Sequence, residues 1–384
     1  MKAIFYTLYI IAGFYLMSCK SAAEKARSKS LPDPVEPAYA FRTLSPAELS
    51  YYHDAADEYY QKHLVRTGFS GSILVAKNGQ IVFEDYHGFV NFKTKDSITP
   101  YTPFHLASTS KTFTGMTVLR LWEQGRLSLD DSLQKYFPQL PYKGITIRML
   151  LDHRSGLPNY LYFMDKDWDK RVKATNEDVV DFMIKHQPNV MSLPDRAFHY
   201  CNTNFVLLAL IVEKVTNQPF PQYMKDSVFT PLGMTDTYVF SIKDTANYVP
   251  TYIGNRPYPM DHLDCTYGDK NVYSTVRDLF KWDKALYEQS FVSKATLDTA
   301  FIPRSHERPS MHNYGYAWRL YFNDGDTLIY HNGRWHGTNT SFTRLVQDTA
   351  TIIVLGNKFN RNIYQAKQMS SIFTGKVDEN NLEE

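Results

Sequence analysis

The chain has 384 residues, 43% of them hydrophobic, which is enough apolar material for one large domain or two. Lys and Arg number 42 against 40 Asp and Glu, and the resulting +2 excludes a nucleic-acid footprint or an acidic tail. Aromatic residues make up 15%, with 28 Tyr, and such rings suit a large core.

The N-terminus reads as an export signal. Lys2 precedes an apolar run from Ala3 to Met17, with small residues after it. The run is short for a membrane span. Leu16-Met17-Ser18-Cys19 resembles the lipobox of bacterial lipoproteins. That makes Cys19 the expected lipidation site and its lipid the expected membrane anchor. Residues 1–18 are then the signal, and 19–46, rich in Lys, Ser, Ala and Pro, a flexible tether. Two further cysteines, Cys201 and Cys265, make no disulfide framework for so long a chain, and both are expected to be free.

The folded domain is expected over 47–375, with a polar tail at 376–384. Ser45, Pro46 and Glu48 form an N-cap, a first-turn proline and a capping box, so a helix starts there. "FSGSILVAKNGQIVFEDYHGFVNF" alternates and turns at Asn78-Gly79, a hairpin signal. Near the other end, "DTLIYHNG", "TSFTRLV" and "ATIIVLGN" read as three strands, and a last helix starts near Asn360. Between them helical patterns dominate, with a subdomain over roughly 115–290. The expectation is an α+β fold: a mostly antiparallel sheet, built from both chain ends and flanked by helices, plus a mostly helical subdomain.

"LASTSKTFTGMTVLRLWEQG" carries the first chemical signal. Its periodicity predicts a helix ending near Gly125, with Ser108 in the first turn and Lys111 on the same face. A serine hydroxyl is a poor nucleophile until its proton is taken, and a buried lysine helps remove it. The helix N-terminus adds free N–H groups for a developing oxyanion. Ser-x-x-Lys occurs on the order of once or twice by chance in a chain this long. A second copy at Ser132 and Lys135 reads as a solvated helix face. Two further stretches give the first copy its setting. Tyr200-Cys201-Asn202 precedes a strongly apolar helix, and His331-Asn332-Gly333 ends a strand.

With these three stretches in this order, the chain resembles the serine beta-lactamase and penicillin-binding-protein family, in its class C beta-lactamase and DD-peptidase branch. "FSGSILVAKNGQIVF", "ITIRMLLDHRSGLPNY", "VFTPLGMTDT" and "NVYSTVRDLFKW" extend the resemblance over roughly Phe69 to Asn357. It implies Ser108 as the acylated nucleophile, Lys111 easing its deprotonation, and Tyr200 exchanging protons with Ser108 and the leaving group. Asn202 would position the substrate amide. The backbone N–H groups of Ser108 and Arg334 would form the oxyanion hole beside Asn332 and Gly333. His331 takes the third-motif place where many beta-lactamases carry lysine. A neutral imidazole there gives a hydrogen bond but no fixed charge. Asn332 replaces a threonine that often helps hold the substrate carboxylate, so acyl transfer is better supported than beta-lactam recognition. Arg319 and Arg334 offer a fork for a carboxylate.

Other residues read more plainly. His153 is a structural loop histidine, Cys201 a spacer, and Trp335 and His336 candidates for the pocket lining. His306-Glu307 starts a zinc-protease pattern that Pro309 and Ser310 end, so no metal and no cofactor are expected. Loops such as Asn159 to Lys173 are expected to shape specificity. The expected partner is a small peptide, amide or ester substrate, with no nucleic acid. The expected location is the cell envelope, with the domain outside the cytoplasm.

Overall fold

In a computed structural model of the chain, residues 40–245, 248–323 and 325–376 are described. The expected signal, Cys19, most of the tether and the tail beyond 376 lie outside them. The fold begins earlier than expected. Leu44 is buried in the core, and Phe41 packs its ring against Tyr287 at 5.8 Å. Residues 41–46 are therefore part of the domain, because two large apolar side chains find cover there.

Helix α1 (Pro46–His63) starts on the expected capping box between Ser45 and Glu48. Strands β1 (Gly71–Lys77) and β2 (Gln80–His87) form the hairpin, with Asn78 and Gly79 both at positive φ. Five more strands complete the sheet: β3 (His312–Tyr314), β4 (Arg319–Asn323), β5 (Asp326–Trp335), β6 (Thr338–Leu345) and β7 (Ala350–Gly356). Sequence reading found β5, β6 and β7 but not the short β3 and β4. The order is β3-β4-β5-β6-β7-β1-β2, antiparallel throughout. The two chain ends meet where Gly71 faces Gly356 and Lys77 faces Ala350.

Side chains alternate across this sheet and feed two cores. Leu74, Ile329, Phe342, Ile353 and Leu355 face the helices, against Phe113 and Met116 of α2 (Ser110–Glu123) and Phe205 and Leu208 of α3 (Asn202–Thr216). Ile73, Val75, Tyr330, Ile352 and Val354 face the other way, against Tyr60 and Leu64 and the turns at Arg361–Ser370. Truncating one of these core aliphatics to Ala would cost about 2–5 kcal/mol. The helical region shares the first core with the sheet, so it is not a separately cored subdomain. Helices α2 and α3 are both buried on nearly every face, α3 through an unbroken apolar run from Phe205 to Val212 and α2 through apolar residues interleaved with small hydroxyl residues. Gly115 lets α2 approach, since a Cβ there would stand 2.2 Å from Ala317 Cβ. Among the described residues no helix is long and apolar enough to cross a membrane.

Candidate active site

The site is built where α2 begins. The strand residues Phe104 and His105 pair with Ser274 and Tyr273, and Leu106 N–H donates to Val272 O at 2.8 Å. Ala107 then takes φ 49°, a left-handed backbone rarely adopted by a residue with a Cβ. A 3₁₀ turn over Ala107–Thr109 follows, and the α-helix proper starts at Ser110. Ser108 thus stands one tight turn ahead of the helix rather than inside its first turn. The helix ends at Glu123, close to the expected Gly125.

The three adjacent hydroxyls divide the work. Ser108 lines an open cleft of about 860 Å³. Thr109 is buried, donating to His331 O at 3.3 Å and lying 3.0 Å from Thr340 Oγ1. Ser110 is also buried and accepts from Val272 N–H at 3.0 Å. Both hold the Ser108 turn against the sheet and the neighbouring strand.

Lys111 is fully buried beneath Ser108. Its Nζ donates to Ser108 Oγ at 3.1 Å, Asn202 Oδ1 at 2.8 Å and Asp269 O at 2.7 Å. Those are the three donors of an ammonium, all placed. The ring centroid of Tyr200 lies 5.0 Å from the same nitrogen. Tyr200 and Asn202 line the cleft with Ser108, so residues from two distant segments converge.

The second stretch is held by a residue expected to be only structural. His153 is fully buried with φ 59°, and its Nδ1 accepts from Cys201 N–H at 3.1 Å. Its ring packs 4.4 Å from Tyr200, so it fixes how Tyr200-Cys201-Asn202 enters α3. Burial, with Lys111 adding to it, pushes His153 well below the usual histidine range and keeps it neutral. Cys201 is a buried spacer as expected, and Cys201 and Cys265 are both free.

The third stretch lies on β5. Gly333 packs so closely on the Ser108 turn that a Cβ would stand 2.2 Å from Leu106 O. This puts the Arg334 backbone next to Ser108 in space, and Asn332, Gly333 and Arg334 line the cleft. His331 sits behind that surface, fully buried. Its Nδ1 donates to Asn332 O at 2.8 Å, which leaves Nε2 to accept from Tyr314 Oη at 3.2 Å. Burial and the nearby Arg319 and Lys111 charges push it well below the usual range, so it carries no charge near neutrality.

One wall of the cleft was legible in the sequence only at Trp335 and His336. Trp335 and His336 line it as expected, with Tyr258 stacked 4.1 Å from His336. Both rings are held by Asp264, whose Oδ1 accepts from Trp335 Nε1 at 2.6 Å and lies 2.9 Å from His336 Nε2. Burial pushes Asp264 up, but the His336 and Trp335 hydrogen bonds outweigh it and hold the carboxyl below its usual range. Asp261, Asp264 and His336 each bring one metal-ligating atom within 4.8 Å of the others, a grouping no spacing pattern announced. Arg319 and Arg334 also line the cleft. The Asn159 to Lys173 stretch, expected to be a loop, contains a helix over Tyr160–Asp167 capped by Asn159. Its Leu161 and Tyr162 reach the cleft. Lys135 of the second Ser-x-x-Lys is half-exposed and pairs with Asp131 at 2.8 Å. His306 only approaches Pro303 O, at 3.0 Å.

This fold, with a serine at the head of a buried helix and a lysine beneath it, defines the serine beta-lactamase and penicillin-binding-protein class. The family described as Beta-lactamase matches residues 57–368, and the chain belongs to it. At that general level it is a serine hydrolase. The chain is 32% identical to penicillin-binding protein 4* of Bacillus subtilis over 316 residues, 77% of this chain and 70% of that protein. Its fold is similar to an octameric penicillin-binding protein homologue from Pyrococcus abyssi, with TM-score 0.74 and 25% identity, covering 86% of this chain and 79% of the other. A D-amino acid amidase from Ochrobactrum anthropi shares the fold at TM-score 0.67 and 23% identity, over 84% of this chain and 97% of that one.

Proposed function

We propose that the protein cleaves an amide or ester through an acyl-enzyme on Ser108, with a small or D-amino-acid-like acyl group. The reading is a peptidase or esterase rather than a dedicated beta-lactamase. One observation carries it: Ser108 opens on the cleft while Lys111 Nζ, 3.1 Å away, is buried and fixed by Asn202 and Asp269.

Ser108 Oγ attacks the carbonyl carbon as its proton passes to Tyr200 Oη and the phenol's own proton is shared with the leaving atom, with the Lys111 ammonium stabilising the negative charge that develops on oxygen. The oxyanion rests on the N–H groups of Ser108 and Arg334. The C–N or C–O bond then breaks, and Tyr200 returns the proton to the leaving amine or alcohol. Water repeats the sequence on the ester and releases the acid. Neutral His331 adds no positive charge to the third stretch, which argues against the lysine-dependent beta-lactam chemistry. The D-amino acid amidase fold supports the amide reading. The Cys19 motif supports a lipid-anchored location in the bacterial cell envelope.

The test is intact mass after incubation with benzylpenicillin, a D-amino acid amide and a nitrophenyl ester, with Ser108→Ala alongside. An adduct or turnover that disappears in Ser108→Ala supports the reading. Equal turnover by Ser108→Ala overturns it.

A further inference from the structure

A second buried lysine lies one residue beyond the carbonyl that fixes Lys111. Lys270 is 2% exposed, and Asp269 beside it 1%. Its Nζ donates to Tyr160 Oη and Thr266 Oγ1, both also buried. Tyr160 Oη donates to Asp269 Oδ2 at 2.9 Å, and Lys270 Nζ lies 3.7 Å from that oxygen. Above, Lys270 Nζ lies 4.8 Å from the Trp335 ring centroid, a cation–π contact with the cleft wall. Burying an ammonium and a carboxylate is costly, and such a pair is weak evidence for stability alone. A pair at this place has two ends that matter: the Asp269 carbonyl on Lys111, and Trp335 on the cleft.

We infer that Lys270 is a positioning residue, which locks the Gly268–Asn271 strap to the Tyr160 helix and to Trp335. In doing so it holds the Asp269 carbonyl on Lys111 and the wall against the acyl group. The inference rests on the reading of Ser108 and Lys111 given above. The strap needs such a lock. Gly268 runs at φ 95° hard against Phe205 O, and Asn271 at φ 74°, so its backbone path is tightly constrained. The Asn271 side chain donates to Asp264 O and Thr266 O, both at 2.7 Å, which secures one end. At the Asp269 end, Thr114 Oγ1 donates to Gly268 O and Lys111 Nζ to Asp269 O, both at 2.7 Å, and the Asp269 side chain is held through Tyr160 and Lys270. Burial pushes Lys270 below its ordinary range and Lys111 adds to this, while Asp269, Asp264 and Asp261 act in the opposite sense.

The experiment follows labelling of Ser108 by a fluorophosphonate, read by intact mass, together with thermal melting. It uses the parent, Ser108→Ala, Lys270→Met, Tyr160→Phe and the double change Asp269→Asn with Lys270→Met. Lys270→Met is expected to label ~10- to 100-fold more slowly, the scale of a small misplacement of a reacting group. Tyr160→Phe keeps both charges and is expected to slow labelling by a smaller factor. The double change removes the unpaired carboxylate and is expected to melt near the parent while still labelling slowly. Parent-like labelling by a folded Lys270→Met or Tyr160→Phe overturns the inference. So does a double variant that recovers melting and labelling together, since Lys270 would then only neutralise Asp269. If the parent fails to label, or Ser108→Ala labels equally, the reading of Ser108 itself has failed.

Discussion

Asn202 Oδ1 accepts a hydrogen bond from Lys111 Nζ at 2.8 Å, joining the first turn of one buried helix to the first turn of another. The same amide side chain borders the cleft. It therefore holds the lysine and faces the cleft from one position.

Asn202→Leu is expected to leave Lys111 with one acceptor fewer in a site that excludes water. The loss should be about 2 kcal/mol of stability, the scale for removing a buried partner of a charged group. Acylation of Ser108 should fall more steeply, ~100-fold, as the ammonium swings away from Oγ. Urea melts and burst kinetics on an ester check the two numbers separately. Unchanged acylation would remove Asn202 from the machinery.

Gly333→Ala tests how tightly β5 and the nucleophile turn are pressed together. The added methyl would stand 2.2 Å from Leu106 O and 2.3 Å from Thr340 Oγ1, so backbone must move. Overpacking of this kind costs about 1–3 kcal/mol. Because the displaced backbone includes Ser108 and Arg334, labelling of Ser108 should be nearly abolished in protein that still melts cooperatively. Normal labelling would show that the close approach has no part in shaping the oxyanion site.

His331→Lys restores the residue type that many relatives of this class carry, and is expected to fail. The ring lies in a closed space, its Nε2 accepting from Tyr314, and an ammonium has no lone pair to accept with. The new charge would also join Arg319 and Lys111, the two cations that already disfavour protonation of His331. The melting temperature should fall by several degrees with no gain in penicillin hydrolysis. A stable variant with new penicillin turnover would contradict this account of the third stretch.

Stability should decline on the acid side. Burial pushes His105 down to about 4 from 6.5, so between those values the unfolded chain binds a proton that the folded chain refuses. The contribution, about 3 kcal/mol, is fully present above pH 6.5 and lost as pH falls through 4. His153 and His331, also shifted down, act in the same sense. Asp152 acts oppositely. Burial raises it to about 7, so its contribution is present below pH 4 and lost as pH rises through 7. Melting temperature measured from pH 4 to 9 should drop below pH 6.5, and Asp152→Asn should raise it at pH 8 more than at pH 5. A flat acid limb in Asp152→Asn, where the opposing carboxyl is absent, would show that these histidines are not held neutral by the fold.

What was legible in the sequence was local. The Ser45–Glu48 capping box, the Asn78-Gly79 turn and the pairing of Ser108 with Lys111 each depend on residues a few positions apart, where backbone geometry alone decides the contact. Alternating or unbroken apolar runs announced β1, β5, β6, β7 and α3, and helical periodicity announced α2. The ordered triplet of short stretches identified the family, although each stretch alone was weak. Short strands such as β3, only three residues long, carry too little pattern to be seen.

What only the tertiary structure decided was which polar groups meet. Lys111 and the Asp269 carbonyl are 158 positions apart, and Trp335 and Asp264 are 71 apart. The sequence by itself determined a buried lysine beside a serine, because helical spacing places it there whatever surrounds it. The folded chain decided that this lysine would have three acceptors, that His331 would be silent behind the wall, and that a second lysine would stand next to the first. Those outcomes depend on burial, which converts a polar side chain from a solvated charge into one that must find a partner. That partner comes from whichever distant segment the packing brings near.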